Sequence, residues 1–198
     1  NLDDAIVNVN TEPVYGNFDG ADSILSSTSN DFDDIFAGNG GCAAAWIYPK
    51  GMGEGSEARV FDTTGSSKGW NLAINGLSGT NCRLAFLANH DTTNGEWYTA
   101  QILPLNAWSH VAVVYDSDPD QTAVLYINGA APTLTEAGNA AGDFTSDADN
   151  TFYVGNSSAV TRTWDGYIMD AKVYKNVPVT ATNVAKMASK INVDKDAP

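Results

Sequence analysis

Residues 105–129 read LNAWSHVAVVYDSDPDQTAVLYING and carry the clearest structural signal in the chain. Apolar side chains in Trp108–Tyr115 alternate between two faces, which is the period of a strand and not of a helix. The acidic segment Asp116–Gln121 favours a turn, and the β-branched and aromatic run Thr122–Ile127 follows it. Asn128-Gly129 then supplies the strongest short hairpin signal. The stretch therefore predicts a long antiparallel hairpin at the centre of a sheet.

Short segments of strand character recur along most of the chain, separated by turns rich in Gly, Asn and Ser. A sandwich or jelly roll requires this spacing. One short helix is predicted within Val179–Ile191, because Thr180 can cap it and apolar residues recur at helical spacing. The prediction is an all-β fold, a two-sheet antiparallel jelly-roll sandwich with one short C-terminal helix. Its other strands are expected at Val14–Asp19, Cys42–Tyr48, Glu57–Asp62, Trp70–Asn75, Cys82–Ala88 and Trp97–Ala100.

Five segments, in order, resemble the laminin G-like domain of the concanavalin A-like lectin/glucanase superfamily. The hairpin resembles that family's Trp-x-His-Val-Ala strand and its Leu-Tyr-Ile-Asn-Gly partner. The resemblance implies one concanavalin A-like jelly-roll domain over residues 14–191. We expect residues 1–13 to form an N-terminal strand or a linker, and residues 192–198 to form a C-terminal tail. The other four segments are Phe18–Asp22, Cys42–Pro49, Phe152–Asn156 and Trp164–Tyr174.

The charge balance excludes several classes of partner. The chain has 10 Lys and Arg against 24 Asp and Glu, for a net charge of −14. Phosphate backbones and anionic lipid surfaces would repel such a chain, so nucleic acid is not expected as a partner. No apolar run is long enough to span a bilayer, so membrane insertion is not expected either. The acidity favours either simple solubility or a group of carboxylates that binds calcium.

Two cysteines, Cys42 and Cys82, fall in predicted strands. Without a neighbouring His cluster they do not predict a zinc site. They are either a disulfide that joins two strands or two free, buried thiols.

Catalytic patterns are not apparent. Glycosidases of the resembling superfamily carry a Glu-x-Asp-x-x-Glu strand whose carboxylates reach one glycosidic bond, and no such pattern occurs here. His110 lies inside a strand, where a packed and hydrogen-bonded structural role is expected. His90 lies in a loop and is expected at the surface. We therefore predict that the protein is not an enzyme.

Sugar recognition requires aromatic faces for stacking beside polar groups that bond hydroxyls. Trp46 and Trp108 are expected in the core. The candidate ligand-binding residues are the aromatic residues nearest to loops, Trp70, Trp97, Tyr98 and Trp164, with Asn94, Asn156 and Asp165 as polar companions.

The resemblance also implies a structural calcium ion, which many members of the family hold on the convex side of the sandwich. The matching positions are Asp170, Asp22 and Asp19. Calcium prefers six to eight hard oxygen ligands, and carboxylates with carbonyls supply them. Ala171 departs from the pattern, because an acidic residue often stands there in the family.

The function predicted from the sequence is a non-catalytic carbohydrate-binding or adhesion module of an extracellular or particle-surface protein, with a glycan or a protein of a surface assembly as partner. The alternative is a structural or decoration module of a virion capsid or fibre, or of a cell-surface array, that mediates protein contacts. The third hypothesis is a divergent glycosidase. Two carboxylates close together on one face would favour the glycosidase hypothesis.

Overall fold

The protein is a sandwich of two antiparallel sheets with one helix on its outside. The computed structural model describes residues 15–117 and 122–190. Single 3-10 turns lie at Asn30–Phe32 and Glu54–Ser56. The α-helix is α1 (Ala181–Ser189). The strands are β1 (Tyr15–Asp19), β2 (Leu25–Ser27), β3 (Gly41–Pro49), β4 (Glu57–Asp62), β5 (Trp70–Ser78), β6 (Asn81–Ala88), β7 (Gly95–Thr99), β8 (Leu103–Pro104), β9 (Ser109–Tyr115), β10 (Val124–Ile127), β11 (Leu134–Gly138), β12 (Phe152–Val154) and β13 (Asp165–Lys175).

The two sheets interleave early and late parts of the chain. Sheet A has the order β1-β13-β3-β9-β10, and sheet B has the order β11-β7-β6-β5-β4-β12-β2, with β8 paired to β6. The predicted two-sheet sandwich with a C-terminal helix is confirmed. The predicted hairpin is also present, as the antiparallel pair of β9 and β10. Its predicted position is wrong, because β10 is an edge strand and β3 occupies the centre of sheet A.

The core lies between the sheets, where small residues of one meet large residues of the other. In β3, Ala43, Ala45 and Ile47 face inward, and all three are fully buried. The facing side chains of sheet B include Trp70 and Phe86, which are also fully buried. The alanines leave room for these rings, and close packing of this kind stabilises a single arrangement of the two sheets.

Both cysteines are free and buried, so the disulfide alternative is wrong. Cys42 packs in the cluster under α1 on the outside of sheet A, whereas Cys82 faces the core between the sheets. The two thiols therefore belong to different layers. Burial raises the pKa of each to about 12, which keeps them protonated and unreactive at neutral pH.

Helix α1 covers part of the outer face of sheet A. Thr180 caps it through a reciprocal pair of hydrogen bonds with Asn183. Val184 is fully buried against Ala44 and Tyr126 of the sheet. The predicted helix is confirmed, and it ends at Ser189. No helix within the described ranges has the length and apolar character needed to cross a bilayer. The predictions for residues 1–13 and 192–198 fall outside the described residues.

Candidate functional site

Three of the predicted ligand-binding residues are core residues. Trp70 and Trp164 are 0% exposed and Trp97 is 1% exposed. All three pack in the cluster between the sheets. Because a sugar cannot reach a ring that is covered on all sides, the prediction of a stacking surface at these tryptophans is wrong.

The predicted polar companions do not join a common site. Asn156 is fully buried and holds its own loop, with its amide oxygen accepting a hydrogen bond from the Ser157 N–H at 2.8 Å. Asn94 is exposed and accepts a hydrogen bond from the backbone N–H of His90. Tyr98 is half-buried on the outer face of sheet B, with the Arg83 guanidinium 4.1 Å above its ring. Of the predicted ligand-binding residues, Tyr98 alone lies on the face that carries the cleft described below.

His90 is buried, so the prediction of a surface histidine is wrong. It is 5% exposed. Its Nε2 lies 2.9 Å from the Tyr115 hydroxyl, and its Nδ1 lies 3.0 Å from the Gly142 carbonyl oxygen. These contacts fix the loop that follows β11 against the core.

The three predicted calcium ligands do not converge. In the pairing of β1 with β13, Asp19 lies opposite Asp165, and Tyr15 lies opposite Met169. Asp170 is therefore displaced from Asp19 by about 16 Å along β13, at about 3.3 Å per residue. No group of three acidic, His or Cys side chains able to hold a metal occurs among the residues that the structure describes.

Two of these carboxylates already have partners. The Asp19 carboxylate accepts hydrogen bonds from the backbone N–H groups of Ala21, Asp22 and Ser23, and the first of these does most to hold its pKa well below the usual range. Asp170 forms an ion pair with Lys172. Asp19, Asp22 and Asp170 therefore do not fit calcium as one ligand set, and bound calcium stays a prediction.

On the outer face of sheet B, small side chains lie between polar and aromatic ones. Strand pairing places Arg59, Ala73, Ala85 and Tyr98 side by side across four strands. The neighbouring row contains Asp62, Asn71 and Leu87. Side chains alternate across a strand, which is why β5 turns Trp70, Leu72 and Ile74 into the core and presents Asn71 and Asn75 outward.

A tight hairpin closes one end of this face. Gly65 and Lys68 pair through their backbones, and the two residues between them, Ser66 and Ser67, have φ values of 51° and 62°. Positive φ at both central positions is the type I′ geometry that suits the twist of neighbouring strands. Both serines are exposed.

The hairpin and the sheet border a shallow cleft of about 310 Å³ that is open to solvent. This volume lies at the lower end of the range for small-ligand sites. The cleft is lined by Arg59, Thr64, Gly65, Ser66, Ser67, Asn71, Leu87 and Asn89.

Arg59 organises the wall of the cleft. Its Nε lies 2.8 Å from Oδ2 of Asp62, and its Nη1 donates to Oε1 of Glu57 at 2.6 Å and to Oδ1 of Asn71 at 2.7 Å. Asp62 is fully buried, and its Oδ1 accepts from the Thr64 N–H and hydroxyl. Burial raises the pKa of Asp62, while Arg59 and Thr64 oppose that shift.

These contacts leave a defined set of groups for a ligand. Within residues 15–117 and 122–190, Nη2 of Arg59 and the amide nitrogen of Asn71 have no hydrogen-bond partner and remain as donors. Asn89 donates its amide nitrogen to the Lys68 carbonyl at 2.8 Å, which leaves its amide oxygen as an acceptor. The Ser66 and Ser67 hydroxyls can donate or accept, and Leu87 supplies an apolar surface. A group that carries several neighbouring hydroxyls matches this mixture.

A laminin G family model, described as the Concanavalin A-like lectin/glucanases superfamily, matches residues 19–185. The chain belongs to this superfamily. The resemblance predicted from the sequence is confirmed over most of the chain.

Three solved structures illustrate the fold that this concanavalin A-like domain shares. The SAP-like pentraxin of Limulus polyphemus has a TM-score of 0.59 at 18% identity, with 76% of this chain and 70% of the pentraxin covered. The Ruminococcus gnavus IT-sialidase CBM40 bound to α2,3 sialyllactose has a TM-score of 0.62 at 10% identity, with 88% and 98% covered. The botulinum neurotoxin serotype D ligand-binding domain in complex with N-acetylneuraminic acid has a TM-score of 0.64 at 14% identity, with 92% of this chain and 44% of the toxin domain covered. No curated protein matches the sequence.

The concanavalin A-like domain has a second noteworthy surface on the outside of sheet A. Four rings beyond α1, those of Tyr15, Tyr48, Trp108 and Tyr167, contact one another with centroids 5.0–6.3 Å apart, and we call them the aromatic patch. Tyr15 is 39% exposed and Trp108 is half-buried, so the prediction of Trp108 as a core residue is wrong. Trp46 is buried as predicted, but on this outer face and not between the sheets.

Proposed function

We propose that the protein is a non-catalytic carbohydrate-binding module whose ligand binds in the cleft on the outer face of sheet B. The observation that carries this proposal is the set of unused donors and acceptors around the cleft, held by three adjacent strands and a two-residue hairpin. Rigid elements place such groups more accurately than long loops do. A sugar would contribute hydroxyls to these groups and a C–H face to Leu87.

Structural neighbours support this proposal. The Ruminococcus gnavus module and the toxin domain were solved with sialyllactose and N-acetylneuraminic acid. They share the fold with this chain at low identity, so they support sugar binding as a class and do not supply the identity of the sugar.

The carboxylates near the cleft favour binding over hydrolysis. Both Glu57 and Asp62 contact Arg59, so two acidic groups do lie close together on this face. Neither lines the cleft. The Asp62 Oδ1 accepts from Thr64, and its Oδ2 is buried 2.8 Å from the Arg59 Nε without hydrogen-bond geometry. Glu57 directs its two oxygens at Arg59 and Arg162. A glycosidase needs one carboxyl group free to donate a proton and one free to attack or to activate water, and this pair supplies neither.

We also propose an extracellular or virion-surface location for the protein. A module of this kind would attach its parent protein to a glycan or to a glycosylated partner on a surface. The net charge of −14 keeps the module from binding polyanions indiscriminately, which suits selective attachment.

Two asparagines on β5 provide a matched test of the site. Asn71 lines the cleft and accepts a hydrogen bond from Arg59, whereas Asn75 accepts one from Arg83 outside the cleft. On a glycan array followed by calorimetry, Asn71→Ala is expected to weaken glycan binding by about tenfold, because a ligand hydrogen bond contributes roughly 1–1.5 kcal/mol. Asn75→Ala is expected to bind like the parent protein.

Equal losses in both variants would point to a general loss of structure, which a melting curve of each variant would reveal. Unchanged binding in a folded Asn71→Ala variant would contradict the proposed site. The absence of any glycan ligand on the array would contradict the proposed function.

A second candidate function is a structural module that makes protein contacts through the aromatic patch. Tyr and Trp are enriched at protein interfaces, and here they lie together beside Lys50, whose Nζ is 4.1 Å from the centre of the Tyr167 ring. The botulinum neurotoxin DC binding domain, solved in complex with rat synaptotagmin II, is a structural neighbour with a protein partner. This candidate predicts binding that responds to changes in the patch and not to changes in the cleft.

A further inference from the structure

We infer that the sugar bound in the cleft is uncharged, in contrast to the acidic sugars seen in two of the structural neighbours. This inference rests on the proposed function and adds the class of ligand to it. It follows from the contacts that Arg59, the cation that lines the cleft, already makes with Glu57, Asp62 and Asn71.

The guanidinium of Arg59 offers no free edge to a carboxylate. Bidentate recognition requires two neighbouring nitrogens of the guanidinium to donate in parallel, either Nε with an Nη or the two Nη groups together. Nε lies 2.8 Å from the buried Oδ2 of Asp62, which blocks another oxygen from that edge although the pair lacks hydrogen-bond geometry, and Nη1 donates to Glu57 and Asn71. Neither edge of the guanidinium therefore has two nitrogens free to donate in parallel to a carboxylate. Nη2 remains, and it can bond single oxygens such as hydroxyls.

The charge of Arg59 is also balanced. Glu57 and Asp62 contact it directly, and Arg162 lies 3.7 Å from Glu57. These two cations and two anions sum to zero. An incoming carboxylate would therefore meet no net positive charge at this wall, on a chain whose net charge is −14.

Two other cations near this face are directed elsewhere. The Lys68 Nζ lies 3.8 Å from an oxygen of Asp149, and the Arg83 guanidinium lies over the Tyr98 ring while its Nε donates to Asn75. Neither lines the cleft. An acidic sugar would have to draw one of them away from its present contacts.

The remaining lining groups suit neutral hydroxyls. They include donors at Arg59 and Asn71, an acceptor at Asn89 and hydroxyls at Ser66 and Ser67. A sugar hydroxyl donates and accepts at once, so adjacent hydroxyls can satisfy both kinds of group. A carboxylate only accepts, and it would leave the Asn89 oxygen facing another acceptor.

The test is a glycan array of neutral oligosaccharides, each beside its sialylated counterpart, followed by calorimetry on the strongest pair. We expect the neutral member to bind and the sialylated member to bind at least about tenfold more weakly, because the carboxylate adds repulsion and an unmatched acceptor. We also expect the affinity for the neutral member to change little as salt is raised. Tighter binding of the sialylated member, with a loss at high salt, would overturn this inference and leave the proposed function intact. Binding of neither member would overturn both.

Two charge variants test whether the pairing of Arg59 causes the preference for the neutral sugar. Glu57→Gln keeps an oxygen that can accept from Arg59 but removes one negative charge beside it, and it is expected to narrow the preference for the neutral member. Glu136→Gln removes one negative charge from the edge strand β11, outside the cleft, and is expected to leave the preference unchanged. Equal effects of the two variants would mean that the net charge of the protein, and not the pairing of Arg59, sets the preference, and would overturn the inference.

Discussion

Replacement of Arg59 by methionine is expected to destabilise the fold by about 3–5 kcal/mol, because it leaves a buried carboxylate without its counter-ion. The Arg59 side chain is 11% exposed and that of its partner Asp62 is 0% exposed. Methionine retains much of the apolar stem of arginine, so the loss reports mainly on charge. Chemical denaturation measures the effect, and thermal melting should fall by roughly 2–4 °C for each kcal/mol in a chain of this size.

A second change distinguishes this cause from a loss of packing. Asp62→Asn in the Arg59→Met background removes the unpaired charge and keeps an oxygen for Thr64, so most of the lost stability should return. Arg83→Met is the matched control, since Arg83 contacts Tyr98 and Asn75 and forms no ion pair among the described residues. If the double variant is as unstable as the single one, the explanation through Asp62 is wrong.

The stability of the fold is expected to decrease in acid because of His110. His110 is 2% exposed, its ring packs edge-on against Trp46, and its Nδ1 has no partner within the described part of the chain. Burial lowers its pKa to about 4 from the ordinary 6.5, with Asp170 opposing the shift and Lys172 adding to it. Below pH 6.5 the unfolded chain binds a proton that the folded protein does not, so stability falls as the pH drops from 6.5 towards 4. The contribution is on the order of 3 kcal/mol.

The matched variant for this prediction is His110→Leu, which removes the titrating group and keeps an apolar side chain beside Trp46. The measurement is the free energy of unfolding of both proteins between pH 7.5 and 4, in which effects of the other acidic groups cancel in the difference. The difference should change across this window, with the parent protein losing more stability. Parallel curves would contradict the assigned burial of a neutral imidazole.

Strand alternation predicted the architecture because it depends on local chemistry. The segment Glu57–Asp62 was predicted with the bounds that β4 has, and Thr180 caps the predicted helix. The position of a strand within its sheet depends on pairing between distant parts of the chain. The hairpin signal therefore located β9 and β10 correctly, yet it could not indicate that β10 lies at an edge.

The site was harder to predict because most of the aromatic residues chosen as sugar-binding candidates lie in the core. In β5 the sequence WNLAIN already separates an apolar face from a polar one, and that alternation could have placed Asn71 outward and Trp70 inward. The ion pair of Arg59 with Asp62 spans only three residues on one strand, so its contact was also within reach of the sequence. The approach of the hairpin serines and Asn89 to that row depends on tertiary packing, which no local pattern reports.

The calcium prediction depended on long-range register in the same way. Asp19 and Asp170 lie on paired strands, but the register sets them about five residues apart. A bulge in β13 falls between Met169 and Lys172, and Asp170 adopts a φ of 51° there. Neither feature follows from the acidic motif itself, because the motif does not define the alignment of its two strands.

The most direct test of glycan binding in the cleft is a two-dimensional amide NMR titration of the protein with the neutral glycan that binds most tightly on the array. If the glycan binds in the cleft, shift changes will cluster at Ser66, Ser67, Asn71, Leu87 and Asn89. Changes that cluster at the aromatic patch of Tyr15, Tyr48, Trp108 and Tyr167, with the cleft residues unmoved, would contradict it.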